Sequence, residues 1–547
     1  MAKSPAIGPD KGDQMRSQRA LVSCLGGAGV VLGFAGSVGA QWASNPALNL
    51  AVGDRPGDQV QTKVRATADG GCYVSWFDNS TGGYDVYLQR LDAYGQEQWA
   101  HNGVLVADLG LSSTNDYGLA VDASGNAVLA FQDDRTGGTK ITVNKVSPAG
   151  VLMWGSAGVQ VTQGAGFGPQ VAVTSDGSYV AGWTEGSGVR LQKLDANGVI
   201  QWLAGGIVQQ PAAGSYAMSQ VHGSDNGSVI ALWVRPTGNF SSPRHLYTQK
   251  FSSAGAAVWN AGSPVAVYDG GSVQNGYFPN FVSDGAGGAV YGWYEASSAR
   301  NGYVQRVNAA GAEVFAHNGV ACSTVTGSRC RISSSVAYSA GTDEIFMFWT
   351  DVSLPVQSAW GVYGQKFKGS TGARMWGDSA KELVPLGADQ TSFVTTLADD
   401  QGYSMAFWFD QPGGGAHVMG ARLNGDGSLA WGAAPIQACT APSGKTRLSA
   451  AINTCGDAML AWGDARSDGG DIFAQNVRRS GYFGPRKFGD VDDNNVVNVG
   501  DLLAVINAWG SCPGPCSADV APINGFCNTG DGTVNVADLL VVINNWG

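Results

Sequence analysis

The sequence predicts an all-β chain of eight similar units closing into a ring, followed by a small all-α domain. Three observations lead there: a β pattern closed by an aromatic that returns every 50 to 60 residues, 81 glycines among 547 residues, and a change of pattern after residue 486. The unit is clearest from Gly71 to Trp99, GCYVSWFDNSTGGYDVYLQRLDAYGQEQW. Two runs of alternating polarity flank a Gly-rich turn, and a second turn leads to a Trp. Such a unit leaves an apolar face that only a neighbouring copy can bury.

In chain order, the aromatic closing the first run is Trp76, Phe131, Trp183, Trp233, Trp293, Trp349, Trp408 and Trp462. After each come a polar loop, an alternating strand such as VRLQKLDANG or GYVQRVNAAG, and a Gly turn. A second aromatic then follows seven times, at Trp99, Trp154, Trp202, Trp259, Phe315, Trp376 and Trp431. The eighth is missing after Gly481, yet Gln41-Trp42-Ala43-Ser44-Asn45 matches Gln98-Trp99-Ala100-His101-Asn102. This match implies a ring in which the N-terminal strand completes the last unit, an eight-bladed β-propeller over residues 41–486 whose closure protects the sheet edges. Four antiparallel strands are expected per blade, in the first copy near Val64–Ala68, Cys72–Phe77, Asp85–Leu91 and Gln98–Val106. A seven-bladed ring with an irregular segment, or an open solenoid, is the alternative.

Ahead of the ring, Lys11, Arg16 and Arg19 precede an apolar run from Ala20 to Phe34, and Val38-Gly39-Ala40 offers a cleavage site before Gln41. Residues 1–40 read as a signal peptide, so the mature chain is expected to be secreted or at the cell surface, without a membrane span. Its removal takes Cys24 and leaves eight cysteines, an even number suited to disulfides in an oxidising compartment. Cys322 and Cys330, Cys439 and Cys455, and Cys512 and Cys516 are close in sequence, Cys72 and Cys527 have no near partner, and the connectivity stays open. A net charge of -11 with no Lys/Arg-rich run argues against a nucleic-acid partner.

Within the ring, Asp78, Asp133, Asp134, Arg135, Asp351, Asp410, Asp464 and Arg466 fall just after the blade aromatic. Their recurrence favours turn capping and bridging between blades over a ring of charges engaging a sugar or an ion. His101 and His317 are repeat features; His222, His245 and His417 are scattered without ligand spacing. There is no nucleophile elbow, H-E-x-x-H or phosphate loop, so no catalytic residue is assigned.

After the linker Gly484–Phe488, residues 487–547 hold two similar segments, GDVDDNNVVNVGDLLAVINAWG and one ending GDGTVNVADLLVVINNWG. From Phe488 on there are seven Asp and no Lys, Arg or Glu. Asp490, Asp492, Asn494, Val496, Asn498 and Asp501 take positions 1, 3, 5, 7, 9 and 12 of a calcium loop, with Asn495 in place of the usual Gly at 6. The second loop is less regular: Asp531, Thr533, Asn535 and Asp538 fit, Cys527 and Thr529 stand where carboxylates belong, and a longer loop would recruit Asp519. This module resembles the type I dockerin family. The resemblance implies two short helices, calcium as cofactor and a cohesin-like protein module as partner, in assemblies that degrade polysaccharide. Together these readings give a secreted, non-catalytic binding or scaffold propeller with a calcium-dependent adaptor, polysaccharide being a further candidate partner. The alternative is a propeller glycoside hydrolase or lyase of sialidase-like architecture, to be recognised by a site that breaks the symmetry of the blades.

Overall fold

Short strands of alternating polarity, cut by glycine turns, make each repeat one sheet. In the computed structural model, which describes residues 41–297, 300–399, 401–512, 516–522 and 530–547, eight four-stranded antiparallel sheets follow one another. In the first, Gln59–Ala66, Cys72–Asp78, Asp85–Leu91 and Val104–Ala107 lie in sequence order. The innermost strand of each sheet lies against that of the next, and Lys445–Ile452 of the eighth lies against Gln59–Ala66 of the first. The fold is therefore an eight-bladed β-propeller, not a seven-bladed ring or an open solenoid. In the eighth sheet the fourth strand is Leu50–Gly53, paired with Asp471–Val477. The expected export signal over residues 1–40 lies outside the described residues, among which no helix is long and apolar enough to cross a membrane.

The aromatics that close the first run are completely buried between blades. The second aromatic departs from expectation, because it starts no strand. Trp99 sits in the turn before Val104–Ala107, where its indole N–H donates to the Pro148 carbonyl of the next blade at 3.1 Å. The bond repeats from Trp202 to Ser253 (3.0 Å), Trp259 to Ala309 (3.0 Å), Trp376 to Gly425 (3.1 Å) and Trp431 to Arg479 (2.9 Å). Trp42 makes it to Ala93 of blade one, at 3.1 Å. Beneath each ring lies a turn glycine of the following blade, as with Gly95 under Trp42 and Gly481 under Trp431. At Gly95 φ is +82° and a Cβ would fall 2.4 Å from the Trp42 nitrogen, so only glycine fits.

On the face where its first two strands are joined, each blade carries an ion pair. A turn acid meets a base on the third strand in Asp69–Arg90, Asp122–Lys145, Asp176–Lys193, Asp225–Lys250, Asp284–Arg306, Glu344–Lys366 and Asp399–Arg422. The eighth blade has Asn476 where the base belongs, and Arg486 from beyond the ring meets Asp457 instead, at 2.6 Å. Not all cysteines behave as expected. Cys512 and Cys516 are bonded, but Cys72, Cys322, Cys330 and Cys439 are free thiols buried inside blades, where apolar packing rather than pairing holds them.

Two opposite junctions carry a histidine staple. His101 of blade one touches Glu97 through Nδ1 (3.0 Å) and Asp54, at the end of the eighth sheet's fourth strand, through Nε2 (2.9 Å). His317 of blade five repeats this with Glu313 (2.9 Å) and Asp269 of blade four (2.9 Å). An imidazole between two carboxylates can donate to both only when protonated. Partial burial opposes the charge at His101 but is outweighed by Glu97 and Asp54, while at His317 Glu313 dominates, so both titrate above the ordinary histidine value.

Two predictions follow from this fold. Trp42→Ala should destabilise the protein by about 3–5 kcal/mol, the usual cost of removing a buried Trp; urea unfolding measures it, and a loss below about 1 kcal/mol would show that the ring does not depend on this contact. Because both histidine pKa values are raised on folding, their stabilisation is full below the unfolded value of about 6.5 and fades as pH rises through the folded values. The gap in thermal midpoint between the wild type and His101→Gln/His317→Gln should therefore shrink from pH 6 to pH 9 (roughly the range above the unfolded value), and a constant gap would refute the staple.

Candidate functional site

Eight inner strands surround the centre of the ring, and the sequence differs from blade to blade there. Take the residue paired two places before each blade aromatic; the next residue on the inner strand is Arg65, Ala120, Ala172, His222, Val282, Ala337, Leu397 or Ala451. Six are apolar and two are not. Blades one and four are not neighbours, yet the Arg65 guanidinium, after burial, helps hold His222 down to about 4. That influence acts across the central channel. His222 packs edge-on against Phe281 at 4.6 Å, and its Nε2 is buried with no hydrogen-bond partner among the described residues. The imidazole is thus neutral at ordinary pH, with an uncommitted nitrogen.

Two residues before Arg65, Lys63 Nζ lies 2.7 Å from Asp116 Oδ1 and 5.1 Å from the Tyr117 ring. Burial, then Arg65 and Arg447, depress the Lys63 pKa against the pull of Asp116. The Asp116 side chain is half-exposed. Gln61, Ser333, Phe393 and Arg447 sit at bulges of the inner strands with φ of 61°, 51°, 52° and 53°. Such bulges re-aim side chains and store strain where function needs it. Three cations, Lys63, Arg65 and Arg447, therefore interact beside one carboxylate in a protein of net charge -11. Scattered in the sequence, His222 carried no ligand spacing; aligning the inner strands of the eight copies would have exposed it.

The loop charges singled out from the sequence do mainly structural work. Asp78, Asp133 and Asp464 each accept from the amide two residues on (2.9, 3.0 and 3.1 Å). Asp133 pairs with Arg135 at 2.6 Å and Asp464 with Arg466 at 2.7 Å, while Asp134 accepts from Gly110 N at 3.0 Å. Asp351 lies 3.7 Å from Arg329, and burial first of all raises the pKa of Asp410.

In the C-terminal segment, Asp490, Asp492 and Asp501 bring carboxylate oxygens within 4.8 Å of one another. Asp490 accepts from Asn494 N (2.9 Å) and Asn495 N (2.8 Å), and Asn495 takes φ +73°, the left-handed geometry position 6 demands. Asn498 caps helix α1 (Val499–Asn507), accepting from Gly500 N, while Asp501 accepts from Asn498 N. Val496 offers its carbonyl, which accepts from Asn498 Nδ2 at 3.3 Å. In the second segment Asp519 takes the place of Asp490, accepting from Asp531 N (3.1 Å) and Gly532 N (2.6 Å). Asn535 and Asp538 cap helix α2 (Val536–Asn544) in the same way, and Thr533 stands at position 7. Ala521 occupies the place of Asp492, so this loop has one side-chain oxygen donor fewer, although Asp531 stands where the first loop has Asn494. Cys527 and Thr529 lie outside the described residues. Hard oxygen donors converging in this pattern fit calcium. Both loops border a cleft of about 920 Å³ whose other wall is Arg422, Arg479 and Arg486.

No family model and no curated protein matches the chain. Among solved structures, an ulvan lyase of polysaccharide lyase family PL25 bound to -[GlcA(1-4)Rha3S]- is similar at 10% identity, covering 81% of this chain and 97% of that one, with a TM-score of 0.45. The polysaccharide lyase Uly1 matches at 11% identity over 80% and 92%, with a TM-score of 0.38. A prolyl oligopeptidase B from Galerina marginata matches at 9% over 74% and 55%, with a TM-score of 0.38. At these values the likeness is one of fold. The expectation of a non-catalytic scaffold is corrected by the inner strands, where Arg65 and His222 break the symmetry of the blades, the mark by which the catalytic alternative was to be recognised.

Proposed function

We propose that the protein is a secreted enzyme acting on polysaccharide, a lyase for a uronate-containing, anionic glycan held in the propeller channel. The observation that carries this reading is the pair Arg65 and His222, alone in an otherwise apolar level of the inner strands. Elimination needs a neutral base and a cation beside a carboxylate. The neutral imidazole of His222 takes the proton from the carbon bearing the uronate carboxylate, the electron pair forms the C4–C5 double bond, and the C4–O4 bond breaks, its oxygen leaving with a proton from solvent. Arg65 offsets the charge that grows on the carboxylate meanwhile. A cationic channel in an acidic protein draws in such a chain. The pairing of Leu50–Gly53 with the eighth sheet, and the bond from Trp42 to blade one, support reading the N-terminal segment as the closure of the ring.

We further infer that residues 487–547 form a dockerin-like calcium module with a cohesin-like partner. Val499, Leu503, Ile506 and Trp509 on one half, and Val536, Leu540, Ile543 and Trp546 at identical spacing on the other, are each about half exposed. The core beneath them is small, built from Val491, Val497, Val505, Val520, Val534 and Val542. Calcium would hold the loops' oxygen donors together and so contribute much of the module's stability.

Incubation with uronate-containing polysaccharides should release products with the ultraviolet absorbance of a conjugated unsaturated uronate. His222→Ala and Arg65→Ala should each lower kcat by about 100-fold or more, and kcat/KM should fall as pH drops through about 4 and His222 protonates. Absence of such products across the panel, or full activity in His222→Ala, would overturn the proposal. For calcium, titration calorimetry on the full chain should resolve a tighter and a weaker site, with Asp490→Ala abolishing the tighter; no heat, and no gain of helical circular dichroism on adding calcium to residues 488–547, would exclude it.

A further inference from the structure

The eighth blade departs from the repeat at two positions, and both departures point to the same place. Third strands carry Lys or Arg at one register position in seven blades, and the eighth has Asn476. Its amide clasps the linker instead: Nδ2 donates to the Gly484 carbonyl at 2.8 Å, and the Gly484 amide donates to Oδ1 at 2.9 Å. The clasp delivers Arg486, whose Nη2 lies 2.6 Å from Oδ1 of the buried Asp457, with Nε 3.2 Å from Oδ2. Two residues beyond Asn476, six other blades place Asp92, Ser147, Asp195, Ser252, Asn308 and Asn424, which hold their own turns through side-chain bonds. The eighth blade has Arg478. Its side chain, fully buried, donates to Asp493 Oδ1 at 2.7 Å and to Asn495 Oδ1 in the first calcium-like loop. Ser480 donates to Asp493 Oδ2 at 2.5 Å, and Arg486 lies 3.6 Å from the same carboxylate.

We propose that the eighth blade is a docking site for this chain's own C-terminal module, which is seated on the propeller rather than swinging on a flexible linker. Charge complementarity carries the choice of occupant. The module is purely acidic, and the blade meets it with two arginines. The linker supplies a cation that the blade has given up, so the blade is complete only when the linker is in place. Release would break the bonds from Arg478 to Asp493 and Asn495 and the bond from Ser480 to Asp493 together. Seating leaves the two half-exposed apolar stripes of α1 and α2 pointing away in a fixed orientation.

The test restores the repeat. In full-length protein with calcium present, Asn476→Lys/Arg478→Ser gives blade eight the residues of its sisters. Tryptic cleavage after Arg486 or Lys487 should then rise roughly tenfold or more over the wild type, the small-angle scattering radius should grow, and the urea midpoint of the strand signal should hold, because Lys at position 476 meets Asp457. Asp457→Asn/Arg486→Ala, which removes that pair together, should raise cleavage in the same direction without adding charge. Wild-type protein cut as fast as both variants, or an unchanged cleavage rate and radius in both, would overturn the proposal.

Discussion

The rest of the structure depends on one contact, an aromatic ring of one blade lying on a turn glycine of the next. Its indole nitrogen reaches the neighbouring carbonyl, so each contact joins apolar burial to a directed hydrogen bond. The contact is local to a junction, and between the eighth and first blades it is made by Trp42, whose indole reaches the Ala93 carbonyl. Phe315 shows what is dispensable: it keeps the stacking on Gly372 and forgoes the hydrogen bond. Glycine is required because a Cβ would occupy the space of the ring.

Repetition of that kind sets up its own contrast. Where the copies agree, side chains do structural work: the buried aromatics, the Asp turn caps, the acid–base pair under seven blades. Where they disagree, an isolated charge or a changed polarity marks a task the scaffold does not need. The inner-strand level holding Arg65 and His222 is one such place, with six apolar counterparts that make the exceptions legible. The third strand of the eighth blade is the other, where Asn476 and Arg478 turn away from their own blade toward the C-terminal segment.

That segment shows duplication on a smaller scale. Asp490 and Asp519 accept from corresponding amides, and Asp501 and Asp538 cap corresponding helices, although the chain between the second pair is longer. The first half is gripped from outside by Arg478 at Asp493 and Asn495, whereas Gly530 and Gly532 stand at the same positions of the second. The two halves are thus alike in sequence and unlike in surroundings.

By itself the sequence determined the all-β class, the count of eight, the match of Trp42 to Trp99 and the oxygen-ligand pattern of the first loop. These follow from periodicity and spacing, which the chain carries along its own length. It misled on Gln98–Val106, because an aromatic drawn to a carbonyl some fifty residues away looks, in one dimension, like the start of a strand. It misled on the cysteines too, since closeness in sequence does not bond Cys322 to Cys330, and these two, with Cys72 and Cys439, stay buried thiols. Only the tertiary structure decided that Arg65 and His222 face one channel and that Arg486 serves Asp457. The first pair comes from inner strands of two blades that the ring sets face to face, and the second is joined where Asn476 clasps the linker at Gly484.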